Sequence, residues 1–354
     1  MGEGKWPHRR SRFSSVNDTT FRPFHGLSNP HLQTLAGRAR RSRFESPVLR
    51  VRLETSDDDF LNVDVYDIDS PPRAACLLLH GLEGCAASGY IAGAAAALAR
   101  HRILPIALNF RSCGGELNRT LGSYHSGRTD DIVRTLEWIG HRYPLLPRAA
   151  VGFSLGGNAL LVHLGKRNAA NHDAAITAAA AISVPYELAR CADALERGFG
   201  RLYTRYFLRS LKAKLQAKAK RFPGQVPHRA LAATTMRSFD DAFTAPVHGF
   251  AGAQDYYDRC SAARFVSSVS VPTLLIQSVD DPLVPGDCLP HEAIAANQAL
   301  ECTPTRRGGH VGFLHRSDGA GPTGWLESRI AEFIAAQVSL HPMSRDSHSK
   351  PGSG

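Results

Sequence analysis

The stretch A-A-V-G-F-S-L-G-G-N at residues 149–158 constrains the fold of this chain more than any other segment. It contains G-F-S-L-G, a match to G-x-S-x-G, preceded by small apolar residues and followed by a helical pattern. Ser154, between a buried strand and a helix, would sit on a sharp, strained turn whose neighbours must lack Cβ atoms. A helix that begins at Leu155 points its unpaired N–H groups and positive dipole end at the serine oxygen. A lone G-x-S-x-G also arises by chance, so the hypothesis of an activated serine depends on partners elsewhere in the chain.

Strand patterns and helix patterns alternate around this motif. Continuous apolar runs, typical of strands buried on both faces, precede and follow it at 74–79, 103–110 and 176–184. Helical patterns lie between them at 90–100 and 130–141. This alternation predicts a parallel sheet with right-handed crossovers. After residue 270 the core resumes with a strand at about 272–277, a helix at about 289–296, a strand at about 300–305 and a helix at about 325–338.

The remaining segments differ from this core. Alternating apolar and polar residues at 48–54 and 62–65 predict a hairpin of half-exposed strands. Residues 186–268 have helical tendency and many Arg and Lys residues, which predicts a helical insertion above the sheet, called here the cap segment. We therefore expect five segments: an N-terminal basic tail and packing arm at 1–45, the first part of the core at 46–185, the cap segment at 186–268, the second part of the core at 269–340, and a disordered tail at 341–354.

Composition narrows the classes of function. The chain has 354 residues, 43% of them hydrophobic, which supports a sizeable core. None of the seven cysteines forms a C-x-x-C pair, which predicts reduced thiols in a cytoplasmic protein, without a disulfide framework or zinc site. We expect no metal and no other cofactor. The sequence shows no signal peptide and no apolar run long enough to span a bilayer. It also shows no nucleic-acid-binding module, so we expect no nucleic-acid partner.

Two further residues complete a candidate catalytic triad. A serine hydroxyl needs a base within hydrogen-bond reach and a third group that orients the base. Asp281 and His310 each follow a predicted strand, and the order Ser154, Asp281, His310 is the order of an α/β-hydrolase. Asp280 is a rival for the acid, and we prefer Asp281 because the sequence P-L-V-P follows it.

An oxyanion hole also has candidates. His80-Gly81-Leu82 ends the predicted strand at 74–79, and the glycine permits a close approach of backbone to substrate. The backbone N–H groups of Leu82 and Leu155 would bind the developing oxyanion. We expect His80 to support this loop and not to carry protons.

In these and further motifs, the chain resembles the YheT-like branch of the α/β-hydrolase superfamily, which is related to the ABHD-type lipid hydrolases. The resemblance spans about residues 21–333. It rests on N-P-H-L-Q-T at 29–34, H-G-L-E-G at 80–84, N-F-R-S-C-G-G-E-L-N at 109–118, Y-H-S-G at 124–127, G-F-S-L-G-G-N at 152–158, F-D-D at 239–241, G-F at 249–250, Y-Y at 256–257 and D-D-P at 280–282.

The resemblance implies an α/β fold with a mostly parallel eight-stranded sheet flanked by helices, an inserted helical cap and a relay of Ser154, Asp281 and His310. It also implies hydrolysis of carboxylic esters, including acylglycerol-like ones, so the expected partner is a small ester or lipid. One departure is Ser112-Cys113-Gly114, where the family pattern has Gly-Cys-Ser. If this loop lines the pocket, the difference bears on specificity.

Two alternatives remain open. An acyltransferase would use the same triad with an alcohol or thiol as acceptor, and H-S-G-R-T-D, from His125 to Asp130, fits the H-x4-D spacing sometimes linked to acyl transfer. A hydrolase fold retained only for lipid or partner binding is the second alternative, although its usual sign is a broken triad.

The positive charge of the cap segment has two interpretations. The formal net charge of the chain is +10, and five basic residues lie close together in the cap segment, namely Lys212, Lys214, Lys218, Lys220 and Arg221. They form either a solvated helix face, which is the default expectation, or a weak peripheral contact with anionic lipid. The acyl-chain length, head group and oligomeric state do not follow from the sequence.

Overall fold

The fold is described from a computed structural model, which covers residues 21–40, 44–46, 48–166, 176–316 and 322–340. Its centre is an eight-stranded sheet with the order β1-β2-β4-β3-β5-β6-β7-β8. The pairs β1–β2 and β2–β4 are antiparallel, and all other neighbours are parallel. The strands are β1 Val48–Glu54, β2 Phe60–Tyr66, β3 Ala74–Leu79, β4 Ile103–Asn109, β5 Arg148–Phe153, β6 Ala178–Ile182, β7 Thr273–Ser278 and β8 Leu300–Thr305.

Helices cover both faces of the sheet, as expected of a parallel α/β core. Alternate residues of β3 point to opposite faces, so Leu77 and Leu78 belong to separate apolar clusters, and both are fully buried. One cluster includes residues of α2 Gly89–Arg100 and α12 Trp325–Ser339. The other includes residues of α3 Asp130–Arg142, α4 Leu155–Lys166 and α11 His291–Ala296.

Helices also fill the chain between β6 and β7. The longest, α6, has 22 residues. The bounds are α5 Leu188–Leu195, α6 Gly200–Arg221, α7 His228–Ala232, α8 Met236–Phe239, a π turn Asp240–Thr244, α9 Ala245–Val247, α10 Ala253–Cys260 and 3-10 turns Ala262–Arg264 and Val266–Ser268. This confirms the helical character predicted for the cap segment, whereas the assignment of domain boundaries stays a prediction.

The described part of the N-terminal arm begins at Phe21 and ends in α1 Pro30–Ala39, which Asn29 caps through its side chain. Pro23 bridges to His315, in the small ribbon formed by β9 His315–Arg316 and β10 Pro322–Thr323. The predictions for residues 1–20 and 341–354 lie outside the described residues. Within the described part, no helix is both long enough and apolar enough to span a bilayer.

The core strands and helices occupy the predicted places, with two differences. The strand predicted at 176–184 is shorter, at Ala178–Ile182. The prediction that β2 is half-exposed was wrong, because all seven of its residues are buried. Asp64 pairs with Arg50 at 2.7 Å, and the Asn109 side chain donates to the backbone oxygen of Asn62 at 3.2 Å. Asn62 and Asp64 are both covered by other parts of the chain, so the alternation does not mark a solvent-exposed face.

Candidate active site

Ser154 lies on the sharp turn between β5 and α4. Its φ is +53°, a left-handed value that is costly for any residue with a Cβ. A Cβ on Gly156 would lie 2.5 Å from the backbone oxygen of Leu79, and one on Gly152 would lie 2.5 Å from that of Gly156. Only glycine fits these two positions, as the motif predicted. The backbone N–H of Ser154 donates to Ile182 on the neighbouring strand at 2.8 Å.

The structure brings the three predicted triad residues together, although they are far apart in sequence. Ser154 Oγ lies 2.9 Å from His310 Nε2, and His310 Nδ1 lies 2.8 Å from Asp281 Oδ2. Because an ionised carboxylate can only accept, Nδ1 carries the proton and Nε2 is free to accept from the serine. The Asp281 side chain is fully buried and that of His310 is 11% exposed, so bulk water competes little with these bonds.

The two acidic candidates have different partners. Asp281 Oδ1 accepts the backbone N–H groups of Leu283 and Val284, at 2.9 and 3.1 Å, which leaves Oδ2 for His310. Asp280 Oδ1 instead accepts from the Ser278 hydroxyl and from the backbone N–H of Gly309 at 3.0 Å. Asp281 therefore orients the imidazole, whereas Asp280 holds the loop that carries it.

The predicted oxyanion donors lie next to Ser154. In the described part of the chain, the backbone N–H groups of Leu82 and Leu155 donate to no protein acceptor. Both residues line the same cavity as Ser154. The N–H of Gly81 donates to the Tyr90 hydroxyl at 2.9 Å, which fixes the loop beside the serine.

His80 supports this loop through both ring nitrogens. Nδ1 donates to the Gly81 carbonyl at 2.7 Å, and Nε2 accepts the N–H of Phe110 at 3.1 Å. Burial lowers the pKa of His80 to about 4, so the ring stays neutral near pH 7. This geometry agrees with a supporting role and leaves no ring nitrogen for proton transfer.

Sequence reasoning missed how the N-terminal arm supports the histidine loop. Thr34 Oγ1 accepts the backbone N–H of His310 at 2.9 Å. The Gln33 side chain exchanges two hydrogen bonds with the backbone of Leu314, at 2.8 and 3.1 Å. The motif N-P-H-L-Q-T at 29–34 was the available signal, but only long-range contacts give it this role.

A second group of residues that sequence reasoning missed surrounds Glu83, directly after Leu82. The Glu83 side chain is 1% exposed, its φ is +56°, and its carboxylate accepts from Lys214 Nζ at 2.9 Å. The Tyr124 hydroxyl donates to Glu83 Oε1 and accepts the Glu83 N–H, both at 2.8 Å. Ser210 also donates to this carboxylate. Because Lys214 and Ser210 belong to α6, the cap segment is tied to the loop that carries the predicted oxyanion donor.

The expectation that the basic residues of α6 form a solvated face was wrong for two of them. The Lys218 side chain is buried, and Nζ donates to the backbone oxygens of residues 120, 121 and 122 at 2.8–2.9 Å. Lys214 turns inward to Glu83. Lys220 and Arg221 are exposed. The two buried lysines fasten the cap segment to the core because they satisfy acceptors that the core supplies.

Two cavities meet at Ser154 and His310. The inner cavity lies under the cap segment and encloses about 1150 Å³ of space, any open solvent at its mouth included. Most of its lining surface is apolar, and Phe207, Leu211 and Phe239 are among the lining residues. The outer groove, about 1490 Å³ measured in the same way, runs between α1 and α6. An extended molecule with its reactive atom at Ser154 has room on both sides.

Other residues named from the sequence have less direct roles. The structure does not bring His125 and Asp130 together: His125 packs against His248 at 4.6 Å between ring centroids, and Asp130 is exposed in the first turn of α3. Residues 112–114 line neither cavity, although Cys113 Sγ lies 3.2 Å from Lys214 Nζ. Cys113 is common to both patterns, and the two departing residues contact other parts of the chain: Ser112 Oγ accepts the backbone N–H of Asn118, and the Gly114 carbonyl accepts from Arg50.

A partly buried carboxyl group, that of Asp240, lines the inner cavity, and its titration gives a prediction. Burial raises the pKa of Asp240 to about 6, and Tyr257 donates to it at 2.7 Å. The folded protein keeps this proton between about pH 4 and 6 while the unfolded chain loses it, so this stabilisation is lost as pH rises through 6. We expect the free energy of unfolding of Asp240→Asn, relative to the wild type, to rise by about 3 kcal/mol from pH 4 to pH 8. Urea titrations at both pH values test this, and a constant difference contradicts it.

Comparisons with known proteins show the family to which this chain belongs. Residues 75–314 match the family model described as the alpha/beta hydrolase fold. The Escherichia coli (strain K12) protein named "Putative esterase YheT" is 38% identical over 340 residues, 93% of this chain and 96% of that protein. The human protein named "Phospholipase ABHD3" is 29% identical over 297 residues, 81% of this chain and 71% of that protein.

A solved structure supports the fold. The Pyrococcus furiosus esterase Pf2001 superposes with a TM-score of 0.57 at 16% identity, covering 85% of this chain and 92% of that chain. The family model covers more than half of the chain, and the similarity to YheT extends over nearly all of it. This protein therefore belongs to the YheT-like branch of the α/β-hydrolase superfamily and is a hydrolase of that fold.

Proposed function

We propose that this protein hydrolyses carboxylic esters through an acyl-enzyme formed on Ser154. The observation that carries the proposal is the unbroken chain of hydrogen bonds from Asp281 through His310 to Ser154, with links of 2.8 and 2.9 Å. A serine hydroxyl is a weak nucleophile, and a chain of this kind supplies the base and the orientation that it needs.

In the acylation step, Ser154 Oγ attacks the ester carbonyl carbon while His310 Nε2 takes the hydroxyl proton. The negative charge moves to the carbonyl oxygen, where the N–H groups of Leu82 and Leu155 would stabilise it. One such donor typically contributes about 3 kcal/mol to lowering the barrier. The tetrahedral intermediate then expels the alkoxide, which takes the proton from His310 and leaves as the alcohol.

In the deacylation step, a water molecule takes the place of the alcohol. His310 Nε2 accepts one of its protons as the oxygen attacks the acyl carbon, and the Ser154 oxygen leaves with that proton. Asp281 keeps the imidazole in the required tautomer throughout and stabilises the imidazolium. The products are a carboxylic acid and the regenerated enzyme.

The shape of the site supports a medium-sized apolar acyl group. We assign the acyl chain to the inner cavity, because most of its lining surface is apolar and residues of the cap segment cover it. The alcohol part then occupies the outer groove. Relatives named as an esterase and as a phospholipase support an ester substrate, including a lipid-like one.

The test is hydrolysis of a series of p-nitrophenyl esters and monoacylglycerols of increasing acyl length by the wild type and by Ser154→Ala. We expect turnover that depends on Ser154 and peaks at an intermediate chain length. Equal rates for the two proteins contradict the proposal. Product analysis with added glycerol distinguishes the acyltransferase alternative, since transfer yields new glycerol ester in place of free acid.

Glu83 gives a prediction about the predicted oxyanion hole. In Glu83→Gln, the ion pair with Lys214 is lost and the backbone of Leu82 is less firmly held. A misplacement of this kind costs up to about 100-fold in rate. We expect kcat for an ester to fall roughly 10- to 100-fold with KM changed less than about threefold, because the donor acts on charge that develops in the transition state.

The matched control is Glu116→Gln, which removes an exposed ion pair with Arg52 and is expected to leave both constants unchanged within about twofold. Thermal denaturation of each variant separates loss of fold from loss of rate. A rise in KM with unchanged kcat in Glu83→Gln contradicts the positioning role.

A further inference from the structure

We infer that the face around the outer groove docks on an anionic lipid surface. This mouth face is defined by exposed apolar side chains from α1 and from the start of α6, with arginines beside them. The apolar residues are Leu32, Leu35, Phe199, Leu202 and Tyr206, each 41–49% exposed. The arginines are Arg38, Arg201, Arg205 and Arg209. The inference goes beyond the proposed chemistry and does not depend on it.

The two helices contribute to one face because side chains of one contact side chains of the other at both ends of α1. The ring of His31 on α1 lies 4.3 Å from that of Phe199, and His31 Nδ1 lies 3.2 Å from the Tyr203 hydroxyl. Two turns along α1, the Arg38 guanidinium lies 4.3 Å above the Tyr206 ring. The exposed residues therefore lie on a single surface and not on two separated ones.

This surface surrounds the entrance to the site. The outer groove, which also contains Ser154 and His310, is lined by Leu35, Leu202, Tyr206 and three of the four arginines, namely Arg38, Arg205 and Arg209. A lipid layer that contacted the mouth face would meet the opening of the groove directly. An ester held in that layer would then have a short path to the serine.

The charge of the face is of one sign. Neither Pro30–Ala39 nor Gly200–Arg221 contains an Asp or Glu residue. In the described part of the chain, Arg205 and Arg209 form no ion pair with a carboxylate. Exposed apolar residues with unpaired arginines around them match the acyl region and anionic head groups of a lipid layer.

Other occupants fit less well. A second copy of this chain would bring an equally positive face against the first. The N-terminal residues 1–20 are also basic, with Lys5, Arg9, Arg10 and Arg12 against only Glu3 and Asp18, so they do not complement the face. Nucleic acid would match the arginines but not the exposed leucines, since it offers no apolar layer.

The test uses Ser154→Ala protein, so that turnover does not alter the lipid, and measures cosedimentation with two kinds of vesicle. One kind is pure phosphatidylcholine, and the other contains about one third phosphatidylserine. We expect binding to the anionic vesicles only. Arg205→Gln/Arg209→Gln should weaken it roughly 25-fold, about fivefold for each arginine. Leu35→Ser/Leu202→Ser should weaken the binding that remains at high salt, because salt screens the charges but not apolar contact.

The matched control is Arg100→Gln/Arg142→Gln, which removes two exposed arginines from the ends of α2 and α3, at the opposite edge of the sheet. It should change binding less than about threefold, since the net charge changes equally but the mouth face is intact. Three results overturn the inference. They are an equal loss of binding in the Arg205/Arg209 and Arg100/Arg142 double variants, equal binding to both kinds of vesicle, and no binding to either kind. Binding to double-stranded DNA in place of vesicles, or a dimer that Leu35→Ser/Leu202→Ser dissociates, also overturns it.

Discussion

Ser154→Ala is expected to lower kcat for a carboxylic ester roughly 10⁵- to 10⁶-fold while the protein stays folded. The hydroxyl is the proposed nucleophile, and among the residues that the structure describes no other group lies at the end of the Asp281–His310 hydrogen-bond chain. Stopped-assay kinetics with sensitive product detection measure the loss. Circular dichroism checks the fold, and the turn should persist because its tight contacts are made by the flanking glycines.

The double variant Ser154→Ala/His310→Ala sharpens this prediction. Residues that act as a unit are strongly non-additive, so the double variant should lose little more activity than either single one. A further loss close to the product of the two single effects contradicts a shared mechanism. Residual activity above about one per cent in Ser154→Ala contradicts its role as the nucleophile.

Asp281→Asn is expected to lower kcat about 10⁴-fold, the second-largest effect. The backbone N–H groups of Leu283 and Val284 hold one oxygen of this side chain. In the variant they will hold the amide oxygen, so the amide NH₂ faces His310 Nδ1. The ring must then carry its proton on Nε2, where it cannot accept from Ser154. The shape of the site is kept, and the wrong tautomer alone causes the loss.

Asp280→Asn is the matched control for this prediction. Its carboxylate accepts from Ser278 and Gly309 and makes no hydrogen bond with the imidazole, so kcat should fall less than about tenfold. Steady-state kinetics of the two variants, each also made as the alanine substitution, discriminate the acids. Loss of turnover in the Asp280 variants alone contradicts the assignment of Asp281.

The sequence predicted the core and the meeting of the candidate triad residues because both follow from rules of local order. Parallel strands place their carboxyl ends at one edge of the sheet, so residues that follow β5, β7 and β8 converge there. The strained serine turn followed in the same way from the glycines of G-x-S-x-G. These inferences required only the alternation of strands and helices and the position of each motif.

Side-chain partners that arise from distant segments were not predictable in this way. The polar residues of β2 gave the pattern of a half-exposed strand, yet all of them are buried, and the partly exposed Arg50 covers Asp64. Lys214 and Lys218 gave the pattern of a solvated helix, but a buried carboxylate and three backbone oxygens draw them inward. The contact of Thr34 with His310 spans 276 positions, and no periodicity in the sequence encodes it.

Covalent labelling shows whether His310 activates Ser154. The purified protein would be treated with a fluorophosphonate, which reacts with activated serines, and the adduct located by peptide mass. We expect a single adduct on Ser154 that is lost in His310→Ala and in protein unfolded by denaturant. No adduct in a folded sample, or an adduct on Ser154 that persists undiminished in His310→Ala, would contradict activation of Ser154 by His310.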